Sequence, residues 1–197
     1  MPKSAHAILI PVLAVLAIGL ALFFFLSENR ESIKKAPTAA GAAAGESPAS
    51  ADLRPKRTVT LFFVGEDSES LVPEEREILA DPASPAAEAR EILRELIKGS
   101  QTGLLSTLPP ETKLLQVYID KEGTAFVDFS REFAERHPSG STAEIATVFA
   151  VVDSLAQNLA SVKKVFLLVD GEERETLAGH IAIDHPILPD FSLIAGR

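Results

Sequence analysis

The sequence predicts an α/β protein of the α+β kind: a small mixed sheet with two main helices, preceded by a single transmembrane helix. Three observations carry that prediction. An uncharged apolar run occupies residues 7–26. From residue 58 onward, short runs rich in β-branched and aromatic residues alternate with stretches whose apolar residues recur at helical spacing. Between these regions lies a stretch with no apolar period.

The run AILIPVLAVLAIGLALFFFL is 20 residues long. At about 1.5 Å per residue, a helix of that length covers roughly 30 Å, the thickness of a bilayer's hydrocarbon core. Pro11 falls in its first turns, where a missing N–H costs little. A cleaved secretory signal has an apolar core of about 7 to 15 residues with a small-x-small site close behind it. Here Ser27, Glu28, Asn29 and Arg30 follow Leu26. Residues 1–26 are therefore expected to be an uncleaved anchor held in the membrane through residues 7–26. Flanking charge leaves the orientation open: Lys3 precedes the run, and Arg30, Lys34 and Lys35 follow it interleaved with Glu28 and Glu31.

Residues 27–57 shift to Ala, Gly, Ser, Pro and charge. Such a composition buries too little to offset its ordering entropy. It is expected to be a flexible linker with an end-to-end distance of roughly 30 Å. Residues 58–197 have globular character and are expected to form one domain. That segment holds twelve Lys and Arg against twenty-four Asp and Glu. A domain so acidic repels phosphate backbones, so no nucleic-acid partner is expected.

Within the domain, residues 58–64 (TVTLFFV) read as a first strand ending at Gly65. A loop of Glu, Asp and Ser leads to a short extended piece from Leu71 through Leu79. Ser84 is placed to cap a helix with Pro85 at its first position; Ala89, Ile92, Leu93, Leu96 and Ile97 form one face, and Gly99 ends it. Residues 113–120 (KLLQVYID) set Leu115, Val117 and Ile119 on one side, and residues 124–129 (TAFVDF) follow after a tight connection, predicting an antiparallel hairpin. Ser141 and Glu144 have the spacing of a capping box at the start of the second helix. Its predicted core face is Ile145, Val148, Phe149, Val152, Leu155 and Leu159, and Ala146, Ala150 and Val151 extend its apolar circumference, the pattern of a deeply buried or partner-docking helix. Residues 164–169 (KVFLLV) read as a strand apolar on both faces that ends at Asp170 and Gly171, and the tail from 177 to 191 as irregular covering structure.

The sequence offers no catalytic or binding constellation. It has no cysteine, no Gly-rich phosphate loop, no GxSxG and no HExxH. His180, Asp184 and His185 are of metal-ligating types, but they sit beside Pro186 without a helical period and are expected to be surface residues. Glu66, Asp67, Glu69, Glu74, Glu75 and Glu77 lack the ligand order of a calcium loop and are expected to be a solvated acidic group. Asp128, Ser130 and Glu132 are read as a cap for the short helix SREFAE. With no Trp and one Tyr, Tyr118, a sugar-stacking platform is not expected. No catalytic residue, metal or cofactor is therefore assigned.

Taken in order, the segments TVTLFFV, LVPEER, LIKGSQTGLLSTLPPET, VYIDKEGTAFVDFSREF, SGSTAEIATVFAVVDSLAQN and VKKVFLLVDGE resemble the GerMN domain, a sporulation and spore-germination module. The resemblance spans residues 58–186. It implies a compact α/β module similar to the ring-building folds of envelope machines, without a catalytic centre, displayed outside the cytoplasmic membrane. Family members are commonly lipoproteins or carry two copies; this chain shows one copy behind an apolar helix. The resemblance thus implies an extracytoplasmic, non-enzymatic domain; the tethered architecture and the empty catalytic inventory lead to the expectation that it contacts an envelope protein or itself. A wall-binding accessory protein or an envelope enzyme is the alternative.

Overall fold

A computed structural model describes residues 54–66 and 70–196. The expected anchor and nearly all of the expected linker lie outside the described residues. Among those described, no helix is long and apolar enough to cross a membrane.

β1 (Lys56–Val64) and β2 (Leu71–Leu79) form an antiparallel pair in register from Lys56↔Leu79 to Val64↔Leu71. The extended piece expected after Leu71 is thus a nine-residue strand. α1 (Pro85–Ile97) follows. Ser84 caps it as expected, its side chain accepting from the Ala87 N–H at 3.3 Å, with Pro85 at the first position. Gly99 ends the helix at φ +82, a left-handed backbone angle that favours glycine.

β3 (Leu114–Ile119), β4 (Thr124–Phe129) and β5 (Lys164–Val169) form the second sheet. β3 and β4 are the antiparallel hairpin predicted from sequence, while β4 and β5 run parallel. Parallel pairing needs a crossover. It is supplied by the short α2 (Glu132–Glu135) and by α3 (Ser141–Asn158). The core joins Leu61 and Phe63 of β1, Ile92, Leu93 and Leu96 of α1, Val127 and Phe129 of β4, Leu167 of β5, and Val151, Val152 and Leu155 of α3. The Phe129 and Phe133 rings stack at 4.5 Å.

Two expectations about side-chain direction fail. Leu115 does not share the core face with Val117 and Ile119. The ladder slips between Leu114 and Gln116, and the extra residue leaves Leu115 49% exposed. The core face of α3 is also wider than its apolar residues suggest. Val148, Val152, Leu155 and Leu159 are buried as expected, but Ile145 and Phe149 are only partly so, and Glu144, Thr147, Val151 and Ser154 are buried as well.

Ser154 is buried because the second half of α3 closes the outer edge of β1. The Thr60 N–H donates to Asn158 Oδ1 at 2.9 Å, and Asn158 Nδ2 donates back to the Thr60 carbonyl at 2.6 Å. The Phe62 N–H donates to Ser154 Oγ at 3.1 Å. Val64 completes the edge by exchanging both backbone bonds with Leu105, at 3.1 and 3.0 Å. An edge satisfied in this way presents little template for pairing with another chain.

Candidate functional site

α3 runs beside β1, and its first turns diverge from the loop that follows Gly99. Between them lies a cavity of about 500 Å³. Its walls are Leu105, Leu108, Pro109 and Pro110 of the loop, Thr142, Ala143 and Ala146 of α3, and Arg136 and Pro138 of the segment before the helix. A smaller hollow of about 260 Å³ shares Thr142 and Ala146 with it and continues to Ile145, Leu71 and Leu193. The first is of the size that ligand sites commonly have. Leu105, at its rim, is 53% exposed.

Two hydrogen-bonded assemblies hold these walls. In the first, the Ser139 N–H donates to His137 Nδ1 at 3.0 Å, and His137 Nε2 lies 2.8 Å from Thr147 Oγ1. Thr147 Oγ1 in turn donates to the Thr107 carbonyl. With Nδ1 accepting and the Thr147 proton committed, the ring is assigned as the neutral tautomer with its proton on Nε2. Burial lowers the His137 pKa below its ordinary 6.5, against the opposing charge of Glu144 and the Ala143 carbonyl. This chain ties the loop, the 136–140 segment and α3 together.

The second assembly corrects the expected capping box. α3 begins after Gly140, at φ 100, with no side-chain cap. Glu144 instead reaches the tail: its fully buried carboxylate accepts the N–H groups of Ala178, His180 and Ile181 at 3.1, 3.0 and 2.9 Å, and His180 Nδ1 donates to it at 2.7 Å. Burial raises its pKa, but these donors outweigh it and bring Glu144 down from 4.5 to about 2. The signal for this clasp was present in the sequence, as an acid in a first turn. Its partners lie more than thirty positions away, and local spacing does not show them.

The remaining candidates of the sequence fall apart spatially. His185 pairs with Asp184 at 2.8 Å, while His180 belongs to Glu144. Among the described residues no group of three or more His, Cys, Asp or Glu is placed to hold a metal ion. Glu66, Glu75 and Glu77 are exposed as expected; Asp67 and Glu69 lie outside the described residues.

Glu74 is a correction. It is 5% exposed on β2, bonded to Ser100 Oγ and Thr102 Oγ1 at 2.6 Å each and to the Gln101 N–H at 3.0 Å, and it is paired with Arg76. Burial raises its pKa, but those donors hold it at about 2. Arg76 also donates to the Gly99 carbonyl at 2.7 Å, so this pair fixes the start of the cavity loop. Ser130 does not cap α2 with its side chain. Its Oγ accepts the Lys113 N–H at 3.0 Å, and Asp128 accepts the Gly171 N–H at 2.9 Å.

A family model described as sporulation and spore germination, Germane, matches residues 60–175. The chain belongs to this family. The Germane fold is also found in solved structures. A Clostridium perfringens protein described as a lipoprotein is 28% identical with a TM-score of 0.50, over 72% of this chain and 95% of that one. The first GerMN domain of the Bacillus subtilis sporulation protein GerM is 23% identical with a TM-score of 0.53, over 68% of this chain and 97% of that one. The tandem GerMN domains of the same protein are 21% identical at the same TM-score and share of this chain. The chain spans 46% of that pair. No curated protein matches. In this Germane domain the cavity beside α3 had no signature in the sequence except its punctuation, Pro109, Pro110, Pro138 and Gly140.

Proposed function

We propose that this chain is a non-enzymatic, membrane-anchored envelope protein whose Germane domain works outside the cytoplasm by contacting another protein. The observation that carries this reading is how the buried ionisable groups are used. Glu74, Glu144 and His137 hold the cavity walls, and none of the three lines the cavity itself. Their chemistry is spent on shape. The apolar run of residues 7–26 supplies the anchor, and membership of a sporulation and germination family suits a role at the cell envelope.

Two measurements test this. A reporter enzyme active only outside the cytoplasm, fused after Arg197, is expected to be active; a silent fusion overturns the location. The full chain, carried in vesicles, is expected neither to sediment with purified cell wall nor to hydrolyse it. Wall binding or turnover would replace the protein-contact reading with the alternative of a wall-binding accessory protein or an enzyme.

A further inference from the structure

The domain is electrically divided along its second sheet. Residues 58–197 carry a net charge of −12, yet three lysines gather at one end of β4 and β5. Lys121 lies in the turn between β3 and β4, and Lys163 and Lys164 stand at the start of β5. The Lys163 and Lys164 N–H groups both donate to the Gly123 carbonyl, at 2.8 and 3.3 Å, which holds the turn against the strand. Lys121 and Lys163 are exposed, and Lys164 is half-buried. The two β5 lysines make no ion pair among the described residues, and Lys121 meets only Glu122, at 3.8 Å in an exposed pair of little strength. Asp120 is the remaining acid of the turn, so this end stays net positive.

The far end is acidic. Arg131 pairs with Asp170 at 2.8 Å, and Glu135, Glu172, Glu173 and Glu175 share with Arg174 the walls of a hollow of about 570 Å³. β4 and β5 are six residues each, so roughly 20 Å separates the two ends. The Debye length at physiological salt is about 8 Å, so the far acids do not cancel the field of the lysines.

The chain also enters the domain at the lysine end. Arg57 donates to the carbonyl of Asn158, the last residue of α3, at 2.7 Å, and residues 159–163 lead from there to β5. Lys56 and Arg57 pair with Glu77 and Glu88, so they leave the charge of this end unchanged. The proposed anchor and tether therefore arrive where the domain is positive. We infer that the domain rests on the bilayer by this end, with Lys121, Lys163 and Lys164 against anionic phospholipid headgroups and the acidic end held away from them. Each lysine near such a surface favours contact roughly fivefold. The tether keeps that surface within about 30 Å. α3 ends at the lysine pole and spans roughly 27 Å, so docking turns its open first half outward, toward an arriving partner. This inference rests on the membrane-anchored reading above and adds the orientation.

The test places the full chain in two nanodiscs, one of phosphatidylcholine alone and one with about 30% phosphatidylglycerol, each carrying a gadolinium-chelate lipid whose broadening of amide NMR signals falls with distance. The tether by itself keeps its own end nearer the disc, so the reading is the difference between the discs. In the anionic disc, broadening at residues 121–123 and 161–164 is expected to rise at least about threefold over the neutral disc, while residues 172–176 stay unbroadened. Salt at about 0.5 M is expected to restore the neutral-disc profile. The combined variant Lys121→Gln, Lys163→Gln and Lys164→Gln should do the same with an unchanged melt, because none of these side chains is buried. Equal profiles in the two discs overturn the lipid contact and leave the anchor standing; a chain that does not stay with the discs overturns both. Stronger broadening at 172–176 in the anionic disc overturns the orientation. A rise that survives the combined variant overturns the assignment to these lysines.

Discussion

The two halves of α3 meet different surroundings. From Val148 to Leu155 every residue except Phe149 is fully buried, including Asp153 and Ser154. Upstream, Ser141 and Thr142 are exposed, and Ala143, Ile145 and Ala146 are half-buried beside the two hollows. The composition differs in part: residues 141–147 hold four polar residues in seven, and residues 148–155 two in eight. The packing partners differ more. The second half lies against β1 and takes over its edge hydrogen bonds; the first half faces a loop that Glu74, Arg76 and the His137 chain hold at a distance. One helix is thus packed on nearly all sides at one end and half-exposed at the other.

The largest effect expected from breaking this contrast is at Val151. It is fully buried, and Val151→Asp places an unpaired charge there and should unfold the domain. A circular-dichroism melt that survived the change would mean that this part of α3 faces solvent. Leu155→Ala should cost about 2 to 5 kcal/mol by leaving a cavity in the core, read from a denaturant titration. By contrast, Ile145→Ala on the open side should cost about 1 kcal/mol or less, because part of that side chain is already in water. Similar costs for the two would remove the distinction between the halves.

Glu144→Gln comes next. Its folded pKa of about 2 against an ordinary 4.5 means the ionised form stabilises the fold above pH 4.5, and that contribution of about 3 kcal/mol is lost as pH falls toward 2. The variant should lose about that much at neutral pH and show a weaker acid transition. His137 adds a separate and smaller step. Its lowered pKa favours the neutral ring, so stability is full above 6.5 and declines just below, where the unfolded chain takes up the proton first. His137→Asn should flatten the pH dependence of stability just below pH 6.5, a change readable in melts taken at a series of pH values there.

Much of the fold was legible where a signal was local. The hairpin of β3 and β4, the Ser84 and Pro85 start of α1 and its Gly99 stop all follow from neighbours within a few positions. Legibility ended where a residue's partner was distant. Glu144 was read against Ser141, three positions away, yet it binds a loop thirty-four to thirty-seven positions on. Asn158 and Ser154 showed nothing in sequence of their bonds to β1, more than ninety positions back. Leu115 was misplaced by a bulge that alternation alone does not reveal. The cavity was invisible for the same reason, since its two walls come from residues 105–110 and 136–147 and only the fold sets them apart.

The most direct test of the proposed protein contact, and of its placement beside the open half of α3, is site-specific photo-cross-linking of the full chain in its own cells. A photoreactive residue is placed at Leu105, on the cavity's rim, or at Tyr118, 59% exposed on the other sheet. The Leu105 position should yield a discrete adduct, and Tyr118 should yield none. An adduct at Tyr118 alone, or none at either position, would contradict the account.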